Sequence, residues 1–184
     1  MKLSAAIVST FLSSTVTVLG ADLGIDFHQM PVGCQWHLEW SDGKHWIETY
    51  LGIKGQFHVI ETVQESNPDI LVRKSFYTDD GHIVRSDFAN GSWQKLAPHS
   101  CFTVLGDCEY RFSMDDGTKW QIKSSVKKLG KGKYRSDSFV VGGNSKQHWE
   151  EDFTLGPYNL LMSNKAGGEY TKITKIESCT QANS

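Results

Sequence analysis

The sequence predicts an all-β protein: one antiparallel meander present in two similar halves, folded into a single barrel or sandwich and stapled by two disulfides. Three observations carry this reading. Apolar and polar residues alternate with a period of two, the strand period, as in Trp36, Leu38 and Trp40 against His37 and Glu39. Asx-Gly dipeptides punctuate the chain at Asp42-Gly43, Asp80-Gly81, Asn90-Gly91 and Asp116-Gly117. These are the preferred residues of two-residue type I′ hairpin loops, where both central positions need positive φ. The third observation is an ordered internal correspondence.

Cys34-Gln35-Trp36, Asp42-Gly43 and Trp46 recur as Cys108-Glu109-Tyr110, Asp116-Gly117 and Trp120 at one constant offset. The series continues at a slightly larger offset. Gly55 matches Gly132, Phe76 matches Phe153, Gly91 matches Gly168, Trp93 matches Tyr170, and Cys101 matches Cys179. Small insertions account for the drift, and each copy begins and ends with a cysteine. The expected organisation is a signal peptide over 1–20, an N-terminal linker over 21–33, a first meander over 34–107 and a second over 108–184. Each meander should hold five or six short strands, with further turns at Asn67-Pro68 and Gly142-Gly143.

Hydrophobic residues make up 39% of the 184-residue chain and charged residues 22%, a globular balance. The net charge of −2 gives no general attraction to nucleic acid or to an anionic membrane. Lys2 is the only charge before Asp22, and an apolar run from Leu3 to Leu19 ends in the small residues Gly20 and Ala21. That is the layout of a secretory signal, with cleavage expected after Gly20. Ser and Thr interrupt the run too often for a good spanning helix, so no transmembrane segment is expected after cleavage. The expected location is the periplasm or the extracellular space.

Four cysteines, an even count in an exported chain, imply two disulfides. A zinc site would want close C-x-x-C pairs, and the spacing offers none. Only Phe102 to Asp107 separates Cys101 from Cys108. If the strands on either side pair, these two face each other, and Cys34 and Cys179 meet where the first and last strands close the ring. The second pairing considered is Cys34–Cys101 with Cys108–Cys179.

Two polar sets could carry function. With a two-residue Asp42-Gly43 loop, His37 faces Glu48 and Glu39 faces Trp46, and His58 on the next strand can join them. His37, Glu39, Glu48 and His58 would then form a metal or acid–base set; the competing reading is a solvated outer face. The second set is the basic stretch Lys119, Lys123, Lys127, Lys128, Lys131, Lys133 and Arg135, which contains no acid. It could hold a polyanion such as a polysaccharide, or be a solvated hairpin whose charges prevent edge pairing. There is no G-x-S-x-G elbow and no phosphate-binding glycine loop, so no cofactor is expected.

The stretch from Cys34 through Tyr50-Leu51-Gly52, with Pro98-His99-Ser100-Cys101 and Gly106-Asp107-Cys108, resembles small uncharacterised exported β-rich proteins of alphaproteobacteria. The likeness covers most of the mature chain and implies no activity. The function expected is that of a non-catalytic exported β-module binding a ligand or an envelope partner. A secreted hydrolase using His and carboxylates, and a secreted inhibitor, are the rival readings.

Overall fold

The computed structural model describes residues 23–141 and 147–179; the signal segment 1–20 and the expected Gly142-Gly143 turn lie outside them. Twelve strands form a closed antiparallel barrel in which every strand pairs with its sequence neighbours and β1 pairs with β12. The strands are β1 (Gln35–Trp40), β2 (His45–Lys54), β3 (Phe57–Gln64), β4 (Asn67–Tyr77), β5 (Ile83–Phe88) and β6 (Trp93–Ala97). They continue with β7 (Gly106–Met114), β8 (Lys119–Gly130), β9 (Lys133–Val141), β10 (His148–Leu155), β11 (Leu161–Ala166) and β12 (Glu169–Glu177). Closure, rather than a sandwich, leaves no free sheet edge.

The halves contribute six strands each, and the corresponding residues fall at the same places in both. Trp46 and Trp120 are each second in their strand, in β2 and β8. Gly55 and Gly132 occupy the next turn with φ of 66° and 65°. Phe76 lies in β4 and Phe153 in β10, and Gly91 and Gly168 stand in the last hairpin of each half.

The turns correct one expectation. In all four Asx-Gly loops only the glycine has positive φ, 80° to 89°. Trp40 N–H donates to the Lys44 carbonyl and Gly43 N–H to the Trp40 carbonyl, so the loop holds three residues. Phe88–Ser92 and Met114–Thr118 repeat the pattern. This is a type I turn followed by a left-handed glycine. The Asx side chain stabilises it: Asp42, Asn90 and Asp116 carboxyl or amide oxygens accept the N–H two residues on, at 3.1, 3.0 and 2.8 Å. Asn67-Pro68 also differs from expectation, since it opens β4 instead of forming a turn; the first residues of a strand tolerate a missing N–H.

Residues 23–33, read from sequence as a linker, pack against one end of the barrel. Leu23, Phe27 and Met30 are buried, and Phe27 stacks on His58 with ring centroids 4.4 Å apart. Asp26 N–H donates to the Tyr158 carbonyl and Ile25 N–H to the Gly81 carbonyl. Both disulfides lie at this end: Cys34–Cys179 pins the β1/β12 seam, and Cys101–Cys108 ties the loop between β6 and β7. Between the strands the interior is mixed. Trp36, Ile60 and Phe153 are buried beside Ser75, Ser86, Ser124, Ser136 and Ser138.

Outward positions on the wall carry Lys123, Arg135, Asp137, Glu150 and Asp152. That pattern is unlike the apolar band of a lipid-embedded barrel. No helix among the described residues is long and apolar enough to cross a membrane.

Candidate ligand site in the barrel lumen

The extra loop residue at Asp42-Gly43 sets the register of β1 against β2, and the register decides which side chains reach the lumen. Trp36 pairs with Glu48, His37 with Ile47 and Glu39 with His45. A slip of one residue exchanges the two faces of a strand. Glu48 therefore points inward with Trp36, while His37 and Glu39 stand outside.

The expected His37, Glu39, Glu48 and His58 set is thus dispersed. His37 bonds Glu65 through Nδ1 and Glu177 through Nε2, the latter at 2.9 Å. Glu39 meets Lys172 Nζ and the Tyr170 hydroxyl, both at 3.0 Å. His58 is buried in a different environment, with Nδ1 2.6 Å from the Tyr50 hydroxyl and Nε2 3.1 Å from Asp79. Of the four, Glu48 and His58 are on the inward face, His58 at the end covered by Phe27 and Glu48 deeper in the lumen. Glu48 accepts from Trp36 Nε1 at 2.8 Å, Thr62 Oγ1 at 3.1 Å and Arg73 Nη2 at 2.8 Å. Burial works against the Arg73 charge, but Glu48 and Tyr77 together more than offset it, and the guanidinium holds its proton more firmly than usual.

The basic hairpin is β8–β9. Acids absent from the Lys119–Arg135 stretch arrive from the neighbouring strands. Lys123 lies 3.4 Å from Glu109 of β7, and Arg135 makes a two-pronged contact to Asp152 of β10 at 2.6 and 3.0 Å. Lys127 stands directly opposite Arg135.

Beyond Arg73 the lumen opens into a cavity of ≈ 480 Å³. Tyr77, Gln94, Tyr110, Trp149, Glu151 and Asn164 are among its walls, and Ile25 of the N-terminal segment is part of its lining. Glu151 donates no charge to an ion pair among the described residues. Its one bond is from Asn164 Nδ2, at 3.3 Å. Burial raises its carboxyl above the ordinary value of 4.5, against a smaller lowering by that bond. Burial, and then the Glu151 charge, push the Tyr110 hydroxyl up to about 12. Burial and the charge of Glu48 likewise raise Tyr77. Among the described residues, two buried side-chain polar atoms have no partner, Asn164 Oδ1 and Trp40 Nε1. Sequence reasoning missed this group. Trp149 and Glu151 do alternate along one strand, but only barrel closure brings them across from Tyr110 and Arg73.

On the outer wall, Asp137, His148 and Glu150 place one ligand atom each within 4.8 Å of one another. Asp137 and Glu150 are direct cross-strand neighbours, and His148 Nε2 sits 2.6 Å from Asp137 Oδ1. These groups are solvated, and the His–Asp bond is contact enough to account for them.

Fold and site together define a class: a closed, disulfide-bonded antiparallel barrel with a mixed lumen, against one end of which residues 23–33 pack. No family model matches the chain, and no curated protein sequence matches it either. Among solved structures it is similar to the hypothetical lipoprotein YmcC from Escherichia coli K12. The TM-score is 0.50 at 8% identity, covering 82% of this chain and 88% of that one. The likeness is one of fold. The comparisons lend no sequence support to the alphaproteobacterial resemblance.

Proposed function

We propose that this protein is a non-catalytic exported module that takes a small ligand into the lumen of its barrel. The observation that carries the reading is the ≈ 480 Å³ cavity, which falls within the range of about 300–1,000 Å³ typical of small-molecule sites. Its walls mix aromatic surface with a few convergent polar groups, as such sites do. Export is supported by the N-terminal signal pattern and by two disulfides in a chain with no free cysteine among the described residues. A binding role is favoured over hydrolysis by what lines the cavity. Ser124, Ser136 and Ser138 hydroxyls bond one another at 2.9 to 3.3 Å, and the cavity lining contains neither His nor Cys.

The test is a thermal-shift screen of polar and amphipathic small molecules against wild type and Gln94→Trp, whose added bulk fills the lumen. A ligand at a hundred times its Kd stabilises by about 2.7 kcal/mol, or roughly 5–10 °C in a domain of this size. Such shifts should appear with the wild type and vanish with Gln94→Trp. Shifts of full size in the filled variant refute the lumen as the site.

A further inference from the structure

Among the described residues, the acids Glu48 and Glu151 reach into the barrel, and they are treated differently. Glu48 is satisfied by three donors, one of them the Arg73 guanidinium. Glu151 has only the amide of Asn164, and no cation among the described residues pairs with it. A carboxylate withdrawn from water without a cation is costly. The neighbouring atom is also an acceptor: Asn164 Oδ1 is buried and without a partner. Beyond the one bond from Asn164 Nδ2, the Glu151 carboxylate and Asn164 Oδ1 keep acceptor capacity that no protein donor among the described residues fills. Trp149 and Tyr110 line the same cavity and offer aromatic faces, which attract cations. Glu151 and Asn164 also line an adjoining space of ≈ 190 Å³ together with Trp40, whose Nε1 has no acceptor.

We propose that the lumen ligand carries a protonated amine, seated between Glu151 and Asn164 Oδ1 against Trp149 and Tyr110, with an acceptor group toward Trp40. This rests on the lumen reading and gives its ligand a chemistry. The ammonium supplies the missing donor and the missing positive charge at once. An alcohol of the same shape supplies only the donor. An anion at this point would meet the Glu151 charge, and the Arg73 guanidinium across the cavity is already paired with Glu48.

The probes are phenethylamine, phenethyl alcohol as its uncharged counterpart, and a short-chain phosphatidylethanolamine below its micellar concentration. Binding is read by calorimetry and by tryptophan fluorescence at pH 7.5. At least one amine should bind about tenfold or more tighter than the alcohol, the scale of a desolvated cation–aromatic contact. Glu151→Gln should reduce that preference to within about twofold. Which amine binds tighter tells whether the group comes as a free amine or on a lipid. Equal binding of amine and alcohol, both lost in Gln94→Trp, overturns the ammonium while leaving the lumen site. Binding that survives Gln94→Trp, or no binding of any probe, overturns both.

A second readout needs no ligand and shows that Glu151→Gln is folded. The Glu151 carboxyl lies above its ordinary 4.5, so folding takes up a proton, and its contribution is lost as pH rises through the folded-state value. The titratable groups facing it are Arg73, Tyr77 and Tyr110 across the cavity, and Glu169 and Tyr170 on the rim side. Its flanking partners Ser136 and Ala166 carry no charge. Glu151→Gln should therefore be more stable than wild type at neutral pH, with the advantage gone below pH 4.5. An unchanged difference across that range would mean that Glu151 is not an uncompensated acid, and the proposal falls with it.

Discussion

Removing the two disulfides one at a time should cost the barrel unequally. Cys34 and Cys179 are 145 residues apart, and Cys101 and Cys108 are 7 apart. In the chain-entropy account, a cross-link stabilises by restricting the unfolded chain, and the effect grows with the logarithm of the loop. That gives about 5 kcal/mol for the long bridge and about 2.4 kcal/mol for the short one. The long bridge also guards the β1/β12 seam, where the ends of the chain must meet before the ring can close. Replacing both cysteines of each pair with Ala removes similar side chains in the two cases, so the difference isolates the loop. At roughly 2–4 °C per kcal/mol for a domain of this size, Cys34→Ala/Cys179→Ala should melt about 5–10 °C below Cys101→Ala/Cys108→Ala. Scanning calorimetry of the two double variants measures it. Equal melting temperatures, or a larger loss from the short bridge, would refute the loop argument and show that local packing dominates.

Glu48→Ala leaves Arg73 charged and half-buried, and strands two further donors; it should destabilise by about 3–5 kcal/mol in urea unfolding. Glu48→Met with Arg73→Met removes both charges and should recover most of that loss, so a double variant as unstable as the sum of the singles would contradict the pairing. On the outer wall, Lys123 and Arg135 already have carboxylate partners, so the wild type should pass through a heparin column at low salt. Retention that Lys127→Glu, Lys128→Glu and Lys131→Glu together abolish would instead establish the hairpin as a polyanion site.

Much of the architecture was legible because it rests on local rules. Period-two alternation places strands, and Asx-Gly places turns, since each depends on a few adjacent residues. The disulfide pairing followed as well, because meander order makes Cys101 and Cys108 neighbours and leaves Cys34 and Cys179 at the seam. The barrel's closure was one of two alternatives until the ladder between β1 and β12 was seen. The proposed duplication draws on the same local signals, and superposing 34–101 on 108–179 is its direct check.

The candidate site was not legible, and a single loop residue explains part of this. A two-residue and a three-residue hairpin loop both want a left-handed glycine after an Asx residue, so the dipeptide does not distinguish them. In a strand the side chains alternate, so that one residue decides whether Glu48 joins His37 outside or Trp36 within. The remaining members of the lumen group come from strands far apart in sequence: Arg73 on β4, Tyr110 on β7, Glu151 on β10 and Asn164 on β11. Residues 23–33 carry no strand period, and their place under the barrel depends on the hydrophobic end that closure creates. The sequence by itself determined strands, turns and cross-links, because these are set by neighbours along the chain. Register, the inward face and the contents of the lumen were decided only by the tertiary structure, because they depend on which distant strands meet and at what offset.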